Sequence, residues 1–95
     1  MKQFLNFIDG EFVATDKTFA NRAPVDNRVL GLVHEAGSAE VDAAVAAARA
    51  ALKGEWGRMP VVKRVELLYA VADEINRRFD DFLAAEIADT GKPLS

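Results

Sequence analysis

Apolar residues come in short runs over the first third of the chain and at helical spacing over the rest. Phe4, Leu5, Phe7 and Ile8 precede Asp9-Gly10, and Phe12 and Val13 follow it. A pair that tolerates positive φ between two apolar runs predicts a β-hairpin. Beyond the polar stretch Thr15-Asp16-Lys17, residues 18 to 23 extend again, and Pro24 to Asn27 form a second turn in which Asn27 takes the left-handed conformation. Val29 to Glu35 is the next strand. Its poor alternation, with Val29, Leu30, Leu32 and Val33 all apolar, suits a strand covered on both faces.

From Ser38 the period changes. Ser38 is a suitable N-cap, and Glu40 and Asp42 lie in the first turn, where carboxylates are favoured by the helix dipole. Val41, Ala44, Val45, Ala48 and Leu52 follow at steps of three and four, and Gly54 ends the run. The stripe is thin because alanine supplies much of it, which predicts close approach to a neighbour. Pro60 suits the first turn of a second helix with the stripe Val61, Val65, Leu68, Ala72, Ile75 and Phe79. Its outer face offers Asp73 to Arg77 and Glu74 to Arg78 as i,i+4 pairs, and Trp56 reads as the anchor of the turn before it. Asp80 reads as the cap of a third helix carrying Phe82, Leu83, Glu86 and Ile87, closed by Gly91 and Pro93. Strands therefore occupy residues 3–36, and helices 38–53, 60–79 and 80–90. The fold class is α/β, with an α+β layout inside residues 1–95: a hairpin and strands, then two or three amphipathic helices.

Ninety-five residues, 51% hydrophobic and 28% charged, suit one globular unit with a small core and exclude a complete large enzyme. The chain stops at Leu94-Ser95, directly after a helix terminator, with an apolar stripe on every helix. One small sheet cannot cover them all, so partners for these faces are expected elsewhere. No run reaches the roughly 18 apolar residues of a membrane span, and no signal peptide pattern opens the chain, which implies a cytoplasmic setting. The net charge of -3 gives no basis for nucleic-acid binding.

Chemistry is sparse. Without cysteine there is no disulfide, thiolate metal site or thiol nucleophile. Gly31, Gly37, Gly54, Gly57 and Gly91-Lys92 lack the spacing of a phosphate-binding loop. His34 is the lone histidine and reads as structural, and Glu86 and Asp89, three apart on one helical face, read as solvated before they read as a cation site or a shared-proton pair.

Five segments in order nevertheless form a pattern: Phe7-Ile8-Asp9-Gly10-Glu11-Phe12, Ala23-Pro24-Val25-Asp26-Asn27, the run Glu40 to Arg49, Trp56 with Arg64, and Asp89-Thr90-Gly91-Lys92-Pro93. Together they resemble the start of the aldehyde dehydrogenase superfamily. Pro24-Val25-Asp26-Asn27, Val33-His34-Glu35-Ala36 and Arg78-Phe79-Asp80-Asp81-Phe82 look most like the 2-hydroxymuconic and 2-aminomuconic semialdehyde dehydrogenases of aromatic-ring degradation. Members commonly have Asn-Pro and a Thr-Gly turn where this chain has Ala23-Pro24 and Asp26-Asn27. The resemblance implies an oxidoreductase in which a cysteine forms a thiohemiacetal, hydride passes to NAD, and a glutamate activates water to cleave the thioester. An asparagine amide and the cysteine backbone amide would hold the oxyanion. None of these groups falls within residues 1–95, so no catalytic or NAD-binding residue is assigned here. The implied partners are the remainder of such an enzyme, its aldehyde and further copies in a homo-oligomer. The resemblance also implies a structural monovalent cation held by the Asp89 carboxylate and the backbone carbonyls of Asn21 and Arg22.

Two other readings compete. One is a free-standing helical interaction module that uses the alanine-rich helix or the Val65, Leu68, Ile75 stripe. The other is a metal-binding regulator using His34, Glu35, Glu86 and Asp89, whose ligands are scattered in type and spacing.

Overall fold

A computed structural model describes residues 1–93, so the expectation drawn at Leu94-Ser95 lies outside the described residues. Strands come first and helices after, in an α/β arrangement with two small sheets. The hairpin consists of β2 (Asn6–Ile8) and β3 (Glu11–Val13), antiparallel with Phe7 opposite Phe12. Asp9 and Gly10 join them with φ of 51° and 80°, the pair of positive values that a type I′ turn demands.

The apolar run before the turn is not one strand. It breaks at Leu5, and β1 (Gln3–Phe4) leaves the hairpin to pair in parallel with β5 (Val29–His34). On the other edge of β5, β4 (Thr18–Arg22) pairs antiparallel, giving a mixed sheet of order β1-β5-β4. A register shift between Asn21 and Arg22 bends the ladder just before the second turn. There Asn27 sits at φ 63° and donates its amide to the Ala23 carbonyl at 2.8 Å. Central β5 is only half-buried along most of its length, and Ala23 is the one buried hydrophobic residue among those described. The expectation of a strand covered on both faces fails within this chain, because α4 shares a groove with this sheet and no other helix lines that groove.

The first helix, α1 (Ser38–Lys53), has Gly37 at its N-cap, so Ser38 is the first helical residue and its side chain makes no capping bond. A short α2 (Glu55–Arg58), unforeseen in the sequence, follows at once and packs back on α1. Next come α3 (Val61–Arg77) and α4 (Phe79–Thr90), which meet at Arg78. Arg78 rather than Asp80 is the N-cap of α4, again without a side-chain bond, because the break is a near-continuous junction whose amides still find carbonyls of α3. Gly91, at φ 73°, closes α4 and donates to the Ile87 carbonyl. No helix among the described residues is long and apolar enough to cross a membrane.

Candidate functional site

The resemblance implies a cluster of the Asp89 carboxylate with the backbone carbonyls of Asn21 and Arg22, and the fold joins the Asn21 and Asp89 side chains. Asn21 sits on β4 opposite Gly31, and Asp89 sits in the last turn of α4. The Asn21 amide donates to Asp89 Oδ1 at 3.0 Å, joining sheet and helix across 68 positions of sequence. The Arg22 side chain turns away and donates to the Asn27 carbonyl at 3.1 Å, bracing the turn. Phe4, Leu30 and Val33 of the sheet and Phe82, Ala85 and Ala88 of the helix line the groove that ends at this contact. Oxygen donors are available there on Asp89 and on the backbone, a set suited to a hard cation.

The scattered set His34, Glu35, Glu86 and Asp89 does not converge. No group of three or more His, Cys, Asp or Glu side chains is close enough to hold a metal ion among the described residues. Glu86 pairs with Lys92 at 3.8 Å, and Glu35 with Lys17 at 3.3 Å. Trp56 lies under the Arg64 guanidinium, 6.0 Å from the ring centroid, and so anchors the α2–α3 turn rather than a ligand.

On α3 the carboxylate of Glu74 pairs with Arg77, one residue nearer than the foreseen Arg78, and no Asp73–Arg77 bridge forms. Arg78 turns instead toward Asp81, 3.6 Å away, since it stands at the break between helices. The hydrogen bond from Arg77, helped by the charge of Arg78, holds the Glu74 carboxyl below the usual glutamate range.

His34, read as structural, has partners that sequence reasoning did not foresee. Its ring accepts the Thr15 backbone N–H at Nδ1, 3.0 Å away, while Nε2 lies 2.7 Å from Gln3 Oε1. The Asn6 amide reaches its carbonyl at 3.4 Å. The partners are separated from it by 31, 19 and 28 positions, so no local pattern could have shown them.

In this geometry side-chain hydrogen bonds tie the sheet to the hairpin's exit and to α4. The sequence model of the aldehyde dehydrogenase family matches residues 12–95, and the chain belongs to that family. It is 58% identical to a 2-hydroxymuconic semialdehyde dehydrogenase of Pseudomonas sp. (strain CF600) and 54% identical to a 2-aminomuconic 6-semialdehyde dehydrogenase of Pseudomonas sp.. Each alignment covers 100% of this chain, but only 20% and 19% of the respective relative, so the chain spans about a fifth of their length. The NAD+ complex structure of aldehyde dehydrogenase from Bacillus cereus superposes with a TM-score of 0.93 at 38% identity, over 98% of this chain and 20% of that one.

Proposed function

We propose that this chain is the amino-terminal segment of an NAD-dependent aldehyde dehydrogenase that oxidises a muconic semialdehyde of aromatic-ring degradation to the carboxylate. The observation that carries this reading is the 58% identity with a 2-hydroxymuconic semialdehyde dehydrogenase along the whole chain. The chain has no cysteine and no glycine-rich phosphate loop, so nucleophile, nicotinamide and aldehyde belong to the remainder of the enzyme. The segment packs its apolar helix faces on the dinucleotide-binding domain. The parent enzyme is cytoplasmic and homo-oligomeric in this reading.

The test is NADH formation by the purified full-length enzyme, with 2-hydroxymuconic semialdehyde expected to outpace benzaldehyde, and with residues 1–95 alone expected to match a buffer control. Turnover by the short chain, or a preference for benzaldehyde, would overturn the corresponding part.

The same reading assigns a structural monovalent cation to the Asp89 carboxylate and the backbone carbonyls of Asn21 and Arg22, completed by a ligand from the rest of the enzyme. The contact between Asn21 and Asp89 supports it by bringing the carboxylate to the bend in β4. Exchanging sodium and potassium for tetramethylammonium should lower the melting temperature of the full-length enzyme, and Asp89→Asn should abolish that dependence. Equal melting temperatures in the two salts would remove the site.

A further inference from the structure

His34 stands where the two sheets come together. It ends β5 in the three-stranded sheet, while Thr15 belongs to the segment that leaves the hairpin two residues after β3. The direction of one bond fixes the ring's state. A backbone N–H only donates, so Nδ1, which receives the Thr15 amide at 3.0 Å, carries no proton. The ring proton therefore sits on Nε2 and is donated to Gln3 Oε1 at 2.7 Å. One neutral imidazole thus ties the hairpin's exit to β5 on one side and β1 to β5 on the other.

The geometry points to His34 as an acid-released clasp between the hairpin and the three-stranded sheet. A proton taken up at Nδ1 turns the acceptor into a second donor facing the Thr15 N–H, and two donors cannot share that 3.0 Å contact. The bond to Gln3 survives, since Nε2 donates in both charge states. Release is therefore one-sided: the hairpin's exit loosens while β1 stays paired. Histidine is the side-chain type whose charge changes between about pH 5 and 8, which sets the range to probe. The charged groups on the surrounding elements are Lys2 ahead of β1, Glu11 on β3, Asp16 and Lys17 between β3 and β4, Arg22 at the far end of β4, Glu35 beside His34, and Glu40 in the first turn of α1. None of them hydrogen-bonds the ring among the described residues, and Lys17 and Glu35 are paired with each other at 3.3 Å.

The test is hydrogen exchange by mass spectrometry on the full-length enzyme at about pH 7.5 and about pH 5.5, which bracket the range in which histidine side chains titrate, with rates corrected for intrinsic exchange. At the lower pH, exchange in residues 12–17 should rise by about tenfold, the ratio that one net hydrogen bond supports. Residues 2–5 and the middle of α1 should not change. His34→Asn places an amide oxygen near the position of Nδ1 and cannot titrate, so it should keep residues 12–17 protected at both pH values. A flat wild-type response overturns the clasp, as does a rise shared by residues 2–5, or an equal rise in the Asn variant. The wild-type comparison decides even where the variant folds poorly.

Discussion

At Gly10 and Gly57 glycine is required for different reasons, and the difference is measurable. Gly10 holds φ at 80° with open space where a Cβ would stand, so a substitution there costs backbone strain alone, about 1 kcal/mol. At Gly57 a Cβ would collide with the Leu52 carbonyl oxygen, so even alanine must push α2 off the end of α1. Forcing extra volume against packed backbone costs about 1 to 3 kcal/mol and occasionally more, and this contact is at the severe end. In the full-length enzyme Gly57→Ala should therefore lower the melting temperature more than Gly10→Val, and Asp9→Asn should leave it unchanged, because asparagine accepts the same positive φ. A Gly10→Val enzyme that melts as the parent does would refute the turn assignment, and a harmless Gly57→Ala would refute the α1–α2 packing. The first of these glycines was legible in the sequence, since an Asp-Gly pair between apolar runs has a local cause. The second was not, because its cause is a carbonyl brought close by the fold, and no local pattern marks Gly57.

At the level of elements, periodicity located every long helix, and the errors fall at the ends, where capping and pairing are settled by contacts at a distance. Ser38 and Asp80 both carry good capping chemistry, yet neither caps, since Gly37 and Arg78 stand one residue and two residues earlier at the bends. The run from Phe4 to Ile8 is interrupted only by Asn6, and the presence of β5 beside Gln3 and Phe4 decides that it divides between two sheets. Asn21 and Asp89 were placed together by family resemblance, and no spacing rule links residues so far apart. Charge on α3 was legible in kind but not in partner. Glu74 is held by Arg77 and has a carboxyl pKa below the usual glutamate range, so its pair is intact above that range and is lost as pH falls through the lower folded value. Both side chains are more than half exposed, however, and such pairs contribute little to stability. A carboxyl titration followed by NMR should place Glu74 below the other exposed glutamates, while Glu74→Gln should leave the melting temperature unchanged. A marked drop in melting temperature would mean that the pair braces the α3–α4 junction.

Taken whole, the molecule is spread out rather than closed. It exposes 7660 Å² of surface, against about 5,400 Å² for a compact monomer of its mass. The radius of gyration is 17.0 Å, where about 12 Å is usual for this length. The excess surface is apolar and follows the stripes read from the sequence: Val61, Val65, Leu68 and Ile75 on α3 and Phe79 at the start of α4 are between 43% and 67% exposed, as are Val41, Val45 and Leu52 on α1. Helices gain most of their stability from covering such a face, so α1 and α3 retain little beyond intrinsic propensity when nothing covers them. The 95-residue chain on its own should therefore be partly helical by far-ultraviolet circular dichroism. It should bind a hydrophobic dye, lack a near-ultraviolet signal from Trp56, and melt gradually, the behaviour of a chain with secondary structure but no fixed packing. In the full-length enzyme the same Trp56 band should be present and disappear in one sharp transition. Covering α1 and α3 moves their stripes out of water, and each large aliphatic side chain fully buried contributes about 1.5 to 3 kcal/mol. A monomeric 95-residue chain with a strong Trp56 band and a steep cooperative melt would show that these faces need no cover, and would favour a free-standing interaction module instead. A steep melt that shifts upward with protein concentration would show that copies of the chain cover one another, and the stripes would then belong to a self-assembly surface.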